Sequence, residues 1–147
     1  MFDLIIFLSL VALGYFVGSQ IEKRHYRSIN EREMMLLYLP AVTMKHVDDP
    51  SRRVQAAELV CGSAVISVDY FKRILAGLRN IFGGTVRSYE SLIDRARREA
   101  MLRMKEAATG ATVIINVRIE TSTIGRNAGK GVGCVEAFAY GTAVKLE

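Results

Sequence analysis

Residues 88–120 read SYESLIDRARREAMLRMKEAATGATVIINVRIE, and this stretch decides the fold class. Ser88 is a residue type that begins helices, because its hydroxyl accepts a hydrogen bond from a free N–H of the first turn. Gly110 suits the position that follows a helix. Between them, apolar residues recur at the three-to-four spacing of one helix face: Tyr89, Leu92, Ile93, Ala96, Ala100, Met104 and Ala107. The pattern predicts a long amphipathic helix over 88–109.

The other side of this helix carries charged residues that we expect to face solvent: Arg95, Arg98, Glu99 and Lys105. The arginines Arg95, Arg97 and Arg98 also raise the question of nucleic-acid binding. They alternate with Asp94 and Glu99, and no aromatic residues are interleaved with them. This composition is typical of a solvated helix face, so no nucleic-acid partner is predicted.

Two strands are predicted after the helix. Apolar residues alternate with polar ones over 112–120, which puts Val113, Ile115, Val117 and Ile119 on one face and Thr112, Asn116, Arg118 and Glu120 on the other. The last strand, Val135–Val144, has small residues on one face: Ala137, Ala139, Gly141 and Ala143. Such a face accepts a closely packed helix or a neighbouring subunit.

The glycine-rich stretch 125–133 joins these two strands and resembles a phosphate-binding loop only superficially. A Walker A motif needs a glycine where Ile124 stands and Ser or Thr where Gly131 stands. We interpret the stretch as a hairpin connection.

A β-rich run and a further helix precede the long helix. Residues 54–68 favour a strand, interrupted by Gly62. Asp69 is a suitable N-cap for a helix that Gly83 and Gly84 end. The order is one strand, two helices and two strands, which predicts an α+β domain whose antiparallel sheet packs on the long helix.

The N-terminus reads FDLIIFLSLVALGYFVG over residues 2–18 and predicts a transmembrane helix. Extended to Ile21, it reaches the roughly 20 residues that span a hydrocarbon core. A secretory signal peptide would have positive charge before the apolar run and a cleavage site after it, and neither is present. We therefore divide the chain into a transmembrane anchor (1–21), a juxtamembrane connector (22–53) and an α+β domain (54–147).

The residues after the span predict its orientation. Residues 22–27 carry three cations against one anion, so the positive-inside rule places the N-terminus outside and the domain in the cytoplasm of a single-pass inner-membrane protein. Gly14 and Gly18 form a GxxxG pair, which either brings two helices together or reflects how common glycine is in membrane helices. The net charge of +5 also suits an anionic leaflet.

No catalytic or metal constellation is visible. Cys61 and Cys134 lie far apart and belong to no CxxC or Cys/His cluster, so buried reduced thiols are expected, with metal ligation as a weak alternative. No Ser/His/Asp or Cys/His arrangement suggests nucleophilic catalysis. The sequence predicts a non-enzyme without a cofactor.

Several short motifs in residues 59–144 resemble the YbjQ-like family, which carries the label of a heavy-metal-binding domain. They are Gly62-Ser63, Asp69-Tyr70-Phe71-Lys72, Ala76-Gly77-Leu78-Arg79, Phe82-Gly83-Gly84, Ser88-Tyr89-Glu90, Ala96-Arg97, Gly110-Ala111 and Tyr140-Gly141-Thr142-Ala143-Val144. The N-terminal span is similar to that of a membrane-anchored subgroup of bacterial proteins. The resemblance implies a dodecin-like β-α-β-β subunit in a ring, commonly a pentamer.

The sequence and the resemblance together predict a membrane-tethered homo-oligomer that binds an unknown protein or small ligand. Candidate residues for this surface, near a subunit junction, are Arg73, Arg79, Gly83, Gly84 and Tyr89. The alternative is heavy-metal binding through the thiolates of Cys61 and Cys134. An enzyme assembled at a subunit interface is a third hypothesis.

Overall fold

The computed structural model describes residues 2–47, 51–67, 87–124 and 134–147. In chain order they form helix α1 (Phe2–Met35), strand β1 (Val54–Ser67), helix α2 (Arg87–Ala107), strand β2 (Val113–Ile124) and strand β3 (Cys134–Leu146). The α+β prediction is confirmed. The predicted helix after Asp69 and the glycine-rich connection lie outside the described residues.

The three strands form an antiparallel sheet in the order β1-β3-β2. Residues 40–44 run beside the outer edge of β2, where Ala41 forms a parallel bridge with Ile114. The N–H of Val42 donates to the carbonyl of Ile114 at 2.9 Å, and the carbonyl of Met44 accepts from the N–H of Asn116 at 2.7 Å. These bonds satisfy backbone groups that an open sheet edge would leave unpaired.

The core lies between α2 and the small-residue face of the sheet, so a closely packed helix, one of the two partners that the sequence allows, covers this face. Ala137 and Ala139 of β3 and Ala96, Ala100 and Met104 of α2 are all fully buried. The small side chains let the helix approach the sheet closely, and Gly62 of β1 lies at the closest point. A Cβ on Gly62 would overlap the backbone oxygen of Ala100 and the backbone nitrogen of Met104, and it would lie 2.8 Å from the Cβ of Arg103.

The regular alternation predicted for β2 is wrong in its first half. Ile114 is fully buried and so is Val117, although the two residues lie three positions apart. A β-bulge explains this, because the pairing register with β3 shifts between Ile115 and Arg118 and Asn116 adopts a positive φ of 54°. Gly141 of β3 leaves room for the bulge, since a Cβ there would lie 2.9 Å from the Cγ2 of Ile114.

Helix α1 is longer than the predicted transmembrane segment. It continues from Ile21 through the first fourteen residues of the predicted connector and ends at Met35. Residues 22–35 contain no glycine or proline that would break the helix, and Pro40 lies beyond its end. The segment between the apolar N-terminus and the domain is therefore helical rather than an irregular linker.

Candidate functional site: the contact between α1 and α2

The second half of α1 lies parallel to α2. The hydroxyl of Tyr26 donates to the carbonyl of Ser91 at 3.1 Å, near the start of the contact. The ammonium of Lys105 donates to the carbonyl of Leu36 at 3.3 Å, near its end. The paired residues are 65 and 69 positions apart, so the two helices run in the same direction and nearly in register. Between these ends, Ile29 is fully buried.

Five charged residues hold the two helices together, and we call them the helix clasp: Arg32 and Glu33 of α1, and Arg98, Glu99 and Arg103 of α2. The guanidinium of Arg98 donates two hydrogen bonds to the carboxylate of Glu33, at 2.8 and 2.5 Å. The carboxylate of Glu99 accepts hydrogen bonds from Arg32 and, at 2.9 Å, from Arg103. Charged partners in such bidentate geometry form strong and directional hydrogen bonds.

Glu99 is the centre of the clasp. Its side chain is only 7% exposed, so the prediction that it faces solvent is wrong. The prediction assumed that only the sheet covers α2, whereas α1 covers the opposite side as well. A buried carboxylate without cations nearby would be costly, and the guanidinium groups of Arg32 and Arg103 offset that cost.

The clasp shifts the pKa values of its acids. Burial acts to raise the pKa of Glu99, but hydrogen bonds from Arg32 and Arg103 outweigh it and hold this pKa below 4.5. Hydrogen bonds from Arg98 lower the pKa of Glu33. Burial lowers the pKa of His25 below 6.5, and the guanidinium of Arg95 lowers it further. All three shifts favour the forms present at neutral pH, which are the ionised carboxylates of Glu33 and Glu99 and the neutral imidazole of His25.

We expect the contact between α1 and α2 to weaken in acid. Because the folded-state pKa values of His25, Glu33 and Glu99 are depressed, their contribution to stability is present above their ordinary values of 6.5 and 4.5 and is lost as the pH falls. The urea midpoint should begin to fall below about pH 6.5 and fall further below about pH 4.5. His25→Gln should abolish the first decline and leave the second. A midpoint that rises on acidification would contradict the assignment.

The predicted ligand-binding residues are only partly within the described chain. Arg73, Arg79, Gly83 and Gly84 lie outside it. Tyr89 lies in the first turn of α2. These residues therefore stay predictions.

The two cysteines are not brought together within one chain. Cys61 is exposed, so the prediction of a buried thiol is wrong at this position; its neighbours Val60 and Gly62 face the core, and Cys61 points the other way. Cys61 lies opposite Tyr140, whereas half-buried Cys134 lies opposite Ser67. The six positions between Cys61 and Ser67 correspond to about 20 Å along a strand. Among the described residues, no three His, Cys, Asp or Glu side chains are grouped as metal ligands would be.

The first half of α1 is exposed and apolar on all sides. Its exposed residues include Phe2, Ile5, Phe7, Leu10, Leu13 and Phe16. Within Ile5–Met35, an 18-residue window has the mean hydropathy, 1.7, that a membrane span requires; an N-terminal signal sequence has it too. Gly14 is exposed and Gly18 is half-buried in this half of the helix.

The face of the sheet that points away from α2 exposes several apolar side chains. Leu59 and Val65 of β1 are 78% and 58% exposed there, and Phe138 of β3 is 39% exposed. Phe138 stacks on Tyr140, which lies on the same face, with 5.7 Å between the ring centroids. We call these four residues the open sheet face. No described segment of the chain covers it.

In the part of the chain that the structure describes, these features define an α+β domain built from three antiparallel strands and helix α2, to which an N-terminal helix is clasped. The family model described as "Putative heavy-metal-binding", the YbjQ family, matches residues 39–147, and the chain belongs to this family. The resemblance noted from the sequence is confirmed. Because the match begins at Leu39, α1 lies outside it, and the clasp joins the family domain to an additional helix.

Relatives from other organisms resemble part of this chain. A "UPF0145 protein" of Hahella chejuensis is 47% identical over 91 residues, which are 60% of this chain and 82% of the relative. One from Acetivibrio thermocellus is 37% identical over 108 residues, covering 72% of this chain and 98% of the relative. A crystal structure of a protein of unknown function from Pediococcus pentosaceus shares the fold, with a TM-score of 0.50 at 14% identity; the match covers 74% of this chain and 98% of that one.

Sequence reasoning missed the clasp, although a signal was present. Tyr26, Ile29, Glu33 and Leu36 follow one another at spacings of three and four, which is the period of a helix face. Because charged residues surround them, residues 22–53 are predicted to be only a juxtamembrane connector. The clasp residues bond to one another, and the arrangement serves to fix one helix against another.

Proposed function

We propose that this protein is a non-enzymatic scaffold, tethered by α1 to the inner membrane of a bacterium, that assembles into a ring and presents its domain to the cytoplasm. One observation carries the proposal. The exposed apolar half of α1 leads without a break into a half that is clasped to the family domain. A membrane span and a folded domain are thereby joined through one continuous helix.

The membrane tether explains the exposed apolar surface of α1. A helix that is apolar on all sides is either buried in a protein or placed in lipid. The first half of α1 is long enough for the second arrangement, and the cations at 23, 24 and 27 favour a cytoplasmic location for the domain. Gly14 and Gly18 would then lie within the bilayer, where small residues allow neighbouring spans to pack.

Self-association explains the open sheet face. Exposed apolar patches of this kind mark surfaces that another molecule covers. We propose that a second copy of the chain covers it, within the dodecin-like ring of five subunits that the family resemblance implies. The ring would bind an unknown protein or small ligand, with Arg73, Arg79, Gly83, Gly84 and Tyr89 as candidate contact residues.

Native mass spectrometry of the full-length protein released from nanodiscs tests this proposal. A pentamer is the expected result, and a monomer would contradict the ring. We expect Leu59→Glu together with Phe138→Glu to shift the protein to monomers, because two carboxylates would then be buried at the interface. The fold should persist, since both positions are exposed in the single chain. The control Thr109→Glu with Thr121→Glu adds the same charge at exposed positions off the open sheet face and should leave the assembly unchanged.

The family description favours a second candidate function, heavy-metal binding. Cys61 is an exposed thiol, and a ring would bring several copies of it and of Cys134 into one particle. The same mass measurement separates the two functions. A stoichiometric metal mass that disappears when both cysteines are replaced by serine would support metal binding, and an unchanged mass would count against these thiolates as ligands.

A further inference from the structure

We infer that the end of the domain at which α2 begins is a docking surface for the anionic headgroups of the membrane. The inference rests on the proposed membrane tether and adds to it an orientation and a lipid class. Three observations support it: the register of α1 and α2, the direction of the strands, and the charge at this end of the domain.

The register of the two helices places the start of α2 beside the end of the apolar segment. Tyr26 contacts Ser91, and Glu33 contacts Arg98, with 65 residues between the partners in both pairs. Continued toward the N-terminus at the common rise of about 1.5 Å per residue, this register puts Arg87 level with Glu22. Since the proposed span ends at Ile21, α2 begins at the level of the headgroups.

The pairing of the strands shows which end of the sheet lies on the same side as the start of α2. Just after α2, the N–H of Thr112 donates to the carbonyl of Val144 at 2.8 Å, so the end of β3 lies at the C-terminal end of α2. The strands are antiparallel, and Ser67, Cys134 and Ile124 are paired at the opposite end of the sheet. That end therefore points in the direction of the start of α2, toward the membrane.

The charge at this end suits an anionic leaflet. Lys23, Arg24 and Arg27 are all exposed, and of these Arg27 forms an ion pair with Glu31 at 3.1 Å. Residues 22–27 carry a formal charge of +2. Basic residues next to a span are attracted by the negative potential of the cytoplasmic leaflet.

The clasp gives the whole domain one orientation relative to the bilayer. A flexible linker would let the domain turn freely above the bilayer. The ion pairs from Arg32 to Glu99 and from Glu33 to Arg98 instead fix the domain to the helix that enters the membrane. The docking surface therefore comprises the cations of 22–27 together with the start of α2.

Quenching of a fluorophore by lipids with spin-labelled headgroups tests the inference. In a variant without native cysteines, one label replaces exposed Glu90 in the first turn of α2, and a second variant carries the label at exposed Thr109. These positions are separated by about 28 Å along the helix. In nanodiscs that contain phosphatidylglycerol, we expect about threefold more quenching at position 90 than at position 109. Equal quenching at both positions would overturn the inference.

Charge variants test the lipid class. Exchanging phosphatidylglycerol for phosphatidylcholine, or introducing Lys23→Gln, Arg24→Gln and Arg27→Gln together, should reduce quenching at position 90 toward that at position 109. The matched control is Lys45→Gln, Arg53→Gln and Lys145→Gln, which removes the same charge from exposed positions elsewhere and should change nothing. Quenching that is independent of lipid charge would overturn the anionic assignment. Failure of the protein to copurify with nanodiscs would overturn the tether itself, and this inference with it.

Discussion

Replacing Glu99 with alanine is expected to lower the free energy of unfolding by about 3 kcal/mol, because it removes the buried partner of Arg32 and leaves that guanidinium with only the exposed carboxylate of Glu106. Arg32 would lose its buried partner and Arg103 would lose its partner on the same helix. The second half of α1 should then separate from α2 before the sheet unfolds. Urea denaturation in detergent gives the free energy, and trypsin cleavage after Arg27 or Arg32 reports the separation.

Glu106→Ala is the matched control for this prediction. Glu106 also pairs with Arg32, at 3.1 Å, but its side chain is 42% exposed. Exposed ion pairs contribute about 1 kcal/mol at most, so this variant should unfold nearly as the natural protein does. Equal losses in the two variants would show that burial of Glu99 is not what makes the clasp strong.

Replacing Gly62 with alanine is expected to destabilise the domain by about 3 kcal/mol, the upper part of the usual range for overpacking a core. The added methyl group would overlap backbone atoms of Ala100 and Met104, which cannot rotate away as a flexible side chain can. The strand and the helix would have to separate. Thermal unfolding followed by circular dichroism measures the loss as a lower midpoint.

Ser63→Ala is the control for the glycine substitution. Ser63 is the next residue of the same strand, is exposed, and uses its backbone carbonyl to accept a hydrogen bond from Arg103 at 2.8 Å. The substitution keeps that carbonyl, so the change should stay within about 0.5 kcal/mol. If Gly62→Ala unfolds at the natural midpoint, the close approach of β1 to α2 is not required for the fold.

The order of the elements in the domain could be predicted because each has a local signal. Most of the apolar stripe predicted for α2 lies in the core, as do the alanines of β3: Leu92, Ala96, Ala100, Met104, Ala137, Ala139 and Ala143. Ala107 is exposed, so its assignment to the stripe is wrong. The bulge in β2 has no such signal. An asparagine that adopts a positive φ looks the same in sequence as one in a regular strand, and only the pairing with β3 reveals the shift.

The environment of Glu99 could not be predicted from α2 alone. The sequence of an amphipathic helix shows which side is apolar, but a charged side can still be covered by another element that carries complementary charges. Arg32 and Glu33 provide such charges from 65 or more residues away. Interactions between distant charged residues leave no periodic pattern, so a single sequence does not indicate which pairs form.

The parallel contact of α1 with α2 also sets an order of events during synthesis. Ile29 emerges from the ribosome well before Arg98 and Glu99, the partners that complete the contact. At about 5–20 residues per second, the 65 residues between contacting partners take roughly 3–13 s to translate. The nascent chain therefore carries an unclasped helix for seconds, and under the proposed tether this is time for its apolar half to reach a bilayer before the domain that holds it has been synthesised.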